Sequence, residues 1–358
     1  MLVGNGVRQA GAADLVIEFA KRTNIPVLTT MNAVDLAQDD IRLGFIGTYG
    51  NRVCNMILLE CDLVISVGAR LGLRQIGHKK EWFAPMAKLV RCDIDQAELS
   101  RNIKDDEEKF LMDGADFLRQ LMMDELPNYQ EWHDKCFEAK ALLEGYDNTQ
   151  GNDVIEKIAS VLPYNPVVAV DVGQNQCWTA QSLALKGNEG RILIGGGYGC
   201  MGCGLPYAIG ASISRNNGLT FCITGDGGLQ MNIQELETVV REKLPIKIFV
   251  INNDTLGKIS EIQTGSYNHR YAQTTPESGY SIPDFVKVAN AYGIKAAELQ
   301  DFNKLDEYKS WLEDDEPCLL NLKIAWDTLL IPKIKWETGK ILPELNENLL
   351  QKVKKLLK

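Results

Sequence analysis

Asp226 and Asn253 are the residues whose types and spacing most directly suggest chemistry in this chain. One offers a carboxylate oxygen and the other an amide oxygen. Both are hard ligands suited to magnesium, an ion usually held by one or two protein oxygens together with substrate phosphates. Gly227 and Gly228 follow the acid at once. Where the chain turns there into a helix their N–H groups are free, and the helix dipole favours an anion. A metal-bridged diphosphate meets both conditions.

The flanking segments read as the elements that would position these groups. Thr220-Phe221-Cys222-Ile223-Thr224 is a short apolar run of the kind that forms a buried strand. After the glycines, Ile233, Leu236, Val239 and Val240 recur at helical spacing, with Glu235, Glu237 and Arg241 on the other side. Ile246 to Ile251 reads as a second buried strand, ending at Asn252-Asn253. Such a strand–helix–strand unit has a right-handed crossover. It places Asp226 and Asn253 at the carboxyl ends of two parallel strands, where open α/β sheets bind ligands.

Gly225-Asp226-Gly227, an intervening helix and Asn252-Asn253 resemble the signature of thiamin-diphosphate enzymes, and the flanks resemble the acetolactate-synthase branch. The resemblance implies thiamin diphosphate and Mg2+ as cofactors, with Asp226, Asn253 and the main-chain carbonyl of Thr255 as metal ligands. It implies cofactor contacts from Gly225, Gly227, Gly228, Met231, Leu256 and Gly257. Gly195 to Pro206 is dense in glycine, which lets backbone approach a ligand closely. There the resemblance implies that the Gly199 carbonyl accepts from the aminopyrimidine and that Met201 wedges between the cofactor's two rings.

The chain departs from the family in two places. The turn after Pro166–Asp171 carries Gln174-Asn175 where the family has a diphosphate-contacting Gln-His. An amide can donate to a phosphate but does not titrate near neutral pH. The family's substrate-pocket methionine and tryptophan positions are Lys258 and Ile262 here. An inward Lys258 would favour a carboxylate or phosphate arm on the substrate. A solvated lysine on a loop is the other reading.

Strands at 26–30, 63–68 and 88–93 alternate with helical stretches, so residues 1–125 read as a parallel α/β domain. Val3 to Val7, Gly47 to Gly50, Gly68-Ala69-Arg70 and Asp93-Ile94-Asp95 resemble the middle domain of the same family. In flavin-containing relatives these edges touch FAD. Gly72-Leu73 replaces the usual acidic pair, so the reading disfavours FAD without closing it off. Residues 126–150 are polar with breakers and read as a linker, 151–330 as the diphosphate/Mg-binding domain, and 331–358 as a tail ending in a basic amphipathic helix. The expected fold class is α/β, with two three-layer domains built on parallel sheets.

With 358 residues, 45% hydrophobic and 24% charged, the composition is that of an ordinary globular protein of about two domains. A net charge of −10 argues against nucleic-acid or anionic-membrane surfaces. Absence of a long apolar run or a signal-peptide pattern leads to a cytoplasmic expectation. The nine cysteines are scattered, and Cys200-Met201-Gly202-Cys203 reads as packing within the glycine loop rather than a zinc or redox site.

The expected chemistry is decarboxylation of a 2-oxo acid and transfer of the acyl anion to an acceptor carbonyl. In the family, a glutamate of an amino-terminal pyrimidine-binding domain activates the cofactor. That domain is not found in this sequence, so the chain alone is expected to be inactive, as a fragment or one subunit of a split enzyme. The expected partners are a small 2-oxo acid and either a second copy of the chain or a pyrimidine-domain subunit. The alternatives are the diphosphate-binding subunit of a two-chain 2-oxo-acid decarboxylase and a non-catalytic cofactor-binding fragment.

Overall fold

A computed structural model describes residues 1–358 apart from Gln38, Asp39 and Asp124. It divides into two compact units, one of residues 1–147 with 331–358, the other of residues 148–330.

In the first unit the strands are β1 (Leu2–Val3), β2 (Val27–Thr29), β3 (Arg42–Phe45), β4 (Leu63–Val67), β5 (Lys88–Asp93) and β6 (Glu108–Leu111). They form one parallel sheet in the order β3-β2-β1-β4-β5-β6. Two buried clusters pack around it, one including Leu43, Ile57 and Leu89, the other Val3, Val16 and Phe117. At the point where strand order reverses, Gly4 N–H donates to the Val67 carbonyl at 2.9 Å and Gly6 N–H to the Gly68 carbonyl at 3.0 Å. A Cβ on Gly4 would stand 2.1 Å from the Gly68 oxygen. Only glycine allows the two turns to approach this closely.

In the second unit the strands are β7 (Val167–Val170), β8 (Arg191–Ile194), β9 (Thr220–Gly225), β10 (Ile246–Asn252), β11 (Lys295–Leu299) and β12 (Cys318–Lys323). They too are parallel, in the order β11-β12-β10-β9-β7-β8. All seven residues of β10 are buried, as a central parallel strand covered on both faces requires. Its one charge, Lys247, is compensated by Asp314 Oδ1 at 2.8 Å and by the Glu316 carbonyl. The register pairs Gly225 with Ile251, so Asp226 and Asn253 leave neighbouring strands at nearly the same level.

Both units are therefore three-layer α/β structures on parallel sheets, as read from the sequence. Residues 126–150 differ from the linker reading. Gln130–Leu142 is a helix whose Cys136 and Ala139 are buried in the first unit's core. Its polar majority faces outward, which is what made it look like a connection. The tail also packs on the first unit. Ile334 N–H donates to the Thr48 carbonyl at 2.8 Å, Trp336 Nε1 to Thr48 Oγ1 at 2.9 Å, and Val353 and Leu357 of the terminal segment join the same core.

Candidate active site

A cavity of about 220 Å3 opens at the carboxyl ends of β7, β9 and β10. Three short segments supply most of its wall: 172–175, 225–228 and 253–259, with Gly199 and Met201 closing another side.

Asp226 is the buried acid of this wall. Its Oδ1 accepts from the Gly227 N–H at 2.6 Å and from the Tyr280 hydroxyl at 3.3 Å. Its Oδ2 is buried with no hydrogen-bond partner among the described residues. Burial pushes this carboxyl up to about 7; the Asp254 charge adds to that rise, while the Gly227 and Tyr280 hydrogen bonds oppose it. A desolvated carboxylate with an unsatisfied oxygen is costly unless a proton or a cation compensates it.

The other oxygens are placed by backbone turns. Asn253 commits its Nδ2 to Gln174 Oε1 at 3.2 Å, so its amide oxygen is the atom left for a cation. Asp254 adopts a left-handed φ of 51°, which reverses the chain before buried Thr255. That turn is held by the Asp254 N–H on Asn252 Oδ1 at 3.1 Å, by Asn252 Nδ2 on Asn321 at 3.0 Å, and by a Lys323–Asp254 ion pair. Thr255 Oγ1 donates to the Thr274 carbonyl at 2.5 Å, leaving its own carbonyl as the possible ligand. Among the described residues no three His, Cys, Asp or Glu side chains gather as a metal cluster. A cation here would depend on mixed carboxylate, amide and carbonyl oxygens completed by its ligand, the pattern of magnesium. The residues present fit a metal-bridged diphosphate.

The glycines make the approach possible. A Cβ on Gly228 would stand 2.1 Å from Asp171 Oδ2, and one on Gly257 would stand 1.9 Å from Gln174 Oε1. A Cβ on Gly227 would meet Leu256 at 2.7 Å, the Tyr280 hydroxyl at 3.0 Å and Met201 Cε at 3.3 Å. Met201 and Leu256 therefore converge on the glycine beside the acid.

Of the residues singled out in the sequence, Gln174, Asn175, Gly199, Met201, Gly225, Asp226, Gly227, Gly228, Asn253, Thr255, Leu256, Gly257 and Lys258 all line the cavity. Asn175 does so with its Nδ2 donating one hydrogen bond to the Asp171 carbonyl at 2.9 Å, which ties it to the strand end. Met231 and Ile262 are exposed and outside the wall. Met231 ends the short helix Asp226–Met231, and Ile262 lies mid-way along the helix Gly257–Ser266 on an exposed face. Cys200 is exposed and Cys203 half-buried, so this pair does not pack inside the glycine loop as the sequence reading had it.

Two residues escaped the sequence reading. Tyr280 lies far from Asp226 in the sequence, and only the fold carries it there. Asp171, at the end of β7, accepts from the N–H groups of Val172 (2.8 Å), Gly202 (3.0 Å) and Cys203 (3.1 Å) and from the Thr224 hydroxyl at 3.2 Å. Burial pushes its carboxyl above the ordinary range, and those four donors oppose the push. It ties the Met201 turn to the ends of β7 and β9. A lone acid ending an apolar run was the available signal.

Comparison with known proteins agrees with this geometry. Residues 171–322 match the C-terminal TPP-binding domain of thiamine pyrophosphate enzymes, and residues 1–121 match their central domain. The chain is 34% identical over 343 residues to a probable acetolactate synthase large subunit of Methanocaldococcus jannaschii, covering 90% of this chain and 57% of that protein. It is 32% identical to the acetolactate synthase isozyme 2 large subunit of Escherichia coli, with 90% and 59% covered. The acetolactate synthase large subunit of Cyanidium caldarium is 36% identical, with 93% and 59% covered. The chain thus spans less than two-thirds of the length of these relatives.

Proposed function

Because this chain belongs to the thiamine pyrophosphate enzymes, carrying their central domain and C-terminal TPP-binding domain, we propose that it serves an acetolactate-synthase-like reaction. In that reaction a 2-oxo acid loses carbon dioxide and its acyl unit is transferred to an acceptor carbonyl. Bound thiamin diphosphate supplies the electron sink that such chemistry needs.

The chain's own residues do the holding and shaping. Asp226, the Asn253 amide oxygen and the Thr255 carbonyl would hold Mg2+; Gly227, whose N–H is taken by Asp226 Oδ1, and Gly228 would let a diphosphate come close to the backbone. Gly199 and Met201 shape the wall along the rest of the cofactor. Turnover in this reading also requires a carboxylic acid from a pyrimidine-binding domain, in this or another polypeptide. Lys258 is the one basic residue of the wall among the described residues, with its Nζ 3.7 Å from Glu261 Oε2. It favours a substrate bearing a carboxylate or phosphate arm.

The buried Asp226 with its unsatisfied Oδ2 carries the proposal. Calorimetric titration with thiamin diphosphate, with and without Mg2+, tests it. Magnesium-dependent binding is expected for the chain, with a loss of about 100-fold or more in Asp226→Ala, the scale of removing one member of a buried charge pair. Equal affinity in the variant would sink the metal assignment. With a pyrimidine-binding domain supplied, a hydroxy-ketone product supports acyl transfer, and an aldehyde product points to simple decarboxylation. Lys258→Met is expected to raise KM for 2-oxo acids with an anionic arm and to leave that for pyruvate nearly unchanged.

A further inference from the structure

We propose that Cys200 and Cys203 form a reversible dithiol–disulfide pair, a modification site built into the turn that carries Met201. Among the described residues no cysteine is in a disulfide, seven are buried, and these two alone are not. Burial pushes other thiols up, Cys54 and Cys92 to about 12 and Cys318 to about 11, which starves them of the reactive thiolate.

The backbone places the pair for bonding. Met201 and Gly202 are the central residues of a turn, and Gly202 has a φ of 82°, the value a type II turn requires at its third residue. The first and fourth Cα atoms of such a turn lie within about 7 Å. Disulfides span Cα separations of about 4.4–6.8 Å, so the spacing across such a turn is compatible with a bond between its first and fourth residues. The far end of the turn is anchored, because the N–H groups of Gly202 and Cys203 both donate to buried Asp171 and Cys203 is the N-cap of the helix Gly204–Ser214. At the near end, Cys200 is exposed. Bond formation therefore draws Cys200 toward the fixed end and moves the residue between them, Met201, which lines the cavity.

The oxidant is a small-molecule disulfide. The Cys200 thiolate attacks one of its sulfurs, forming a mixed disulfide and releasing one small thiolate. The Cys203 thiolate then attacks the Cys200 sulfur, closing the protein disulfide and releasing the second small thiolate. Two protein thiols are oxidised, one small disulfide is reduced to two thiols, and the two protons go to solvent or to the leaving thiolates.

The effect on ligand binding rests on the cofactor reading above, whereas the bond itself does not. The test incubates the 358-residue chain with oxidised glutathione, which spares methionine. The cysteines are then alkylated and the peptide containing Cys200 and Cys203 is analysed by mass spectrometry. Amide exchange over residues 199–203 and affinity for thiamin diphosphate with Mg2+ are read before and after. The expected result is one Cys200–Cys203 disulfide, reversed by dithiothreitol, with altered exchange in the turn and affinity weakened about tenfold. Cys203→Ser, which keeps the N–H donated to Asp171, is expected to show neither change. Alkylation of both cysteines after treatment, or a glutathione adduct on Cys200 that Cys203 never resolves, would overturn the proposal. So would a disulfide that leaves both exchange and affinity unchanged. A reduced chain that binds no thiamin diphosphate would defeat the cofactor reading, and thiol mapping with amide exchange would then decide this proposal alone.

Discussion

Strand order reverses between β1 and β4 in the first sheet and between β7 and β9 in the second, yet these two points are built differently. Between β1 and β4 the glycine turns close on each other, Gly4 and Gly6 donating to Val67 and Gly68. Between β7 and β9 the turns are held apart, and the space between them belongs to the cavity wall. Glycine serves backbone–backbone packing in the first case and side-chain approach in the second, where Gly228 lies against Asp171 and Gly257 against Gln174. A parallel sheet provides a crevice at its reversal point. Whether that crevice can take a ligand depends on what the flanking turns donate to.

Breaking the glycines tests this contrast most severely. Gly4→Ala would set a methyl 2.1 Å from a backbone oxygen, and Gly228→Ala would set one 2.1 Å from the Asp171 carboxylate. Each is expected to cost about 3 kcal/mol or more, near the upper end for overpacking. In thermal denaturation Gly4→Ala should destabilise the chain and leave thiamin-diphosphate affinity intact in the folded fraction. Gly228→Ala should lower both. Equal effects on affinity would erase the distinction between the two crevices.

Asp171→Asn comes next. The substitution keeps the size of the side chain but replaces one carboxylate oxygen by an NH2 group, which must face either the Gly202 N–H or the N–H groups of Val172 and Cys203. Hydrogen bonds to a charged group are worth about 1.5–3 kcal/mol. Cofactor affinity should fall at least as far as stability does, because the Met201 turn is what loses its anchor. Stability loss with unchanged affinity in calorimetry would reduce Asp171 to a packing residue.

The pH dependence of the second crevice follows from Asp226, whose carboxyl is raised to about 7 by burial. The unfolded chain releases this proton near 4 and the folded chain near 7. Its contribution to stability is therefore fully present below pH ~4 and is lost as pH rises through about 7. Magnesium needs the deprotonated form, so its affinity should fall about tenfold per unit below pH ~7. Asp226→Asn should flatten the stability component in denaturation curves recorded without metal across that range.

The smallest effects are expected at Met231 and Ile262, which are exposed and outside the wall. Alanine at either should change stability by no more than about 0.5 kcal/mol. Cofactor affinity should move less than about twofold, against the larger loss expected at Asp171. A large loss of affinity at Met231 in the same titration would return it to the cofactor wall.

Much of the second unit was legible because its signals are local. The apolar runs at 220–224 and 246–251 had the length and composition of buried strands, and Gly225 to Gly228 and Asn252-Asn253 ended them abruptly. The register that pairs Gly225 with Ile251 then follows from parallel pairing. β6, with Glu108 and Lys109, escaped notice because an edge strand needs no apolar run, and Gln130–Leu142 because only a narrow stripe of that helix is buried.

By itself the sequence determined the fold class and pointed to the acid, amide and glycines that line the cavity, since each is written in neighbouring residues. The tertiary structure decided which of these face the cavity: Lys258 lines it, Met231 and Ile262 do not, and Asn175 donates from its Nδ2 to the Asp171 carbonyl. It also brought in Tyr280, 54 positions from Asp226, and set Asp171 beneath a turn 31 positions away. Such pairings depend on where loops land once the strands are stacked. Side-chain direction at a helix end is likewise settled by packing rather than by spacing alone.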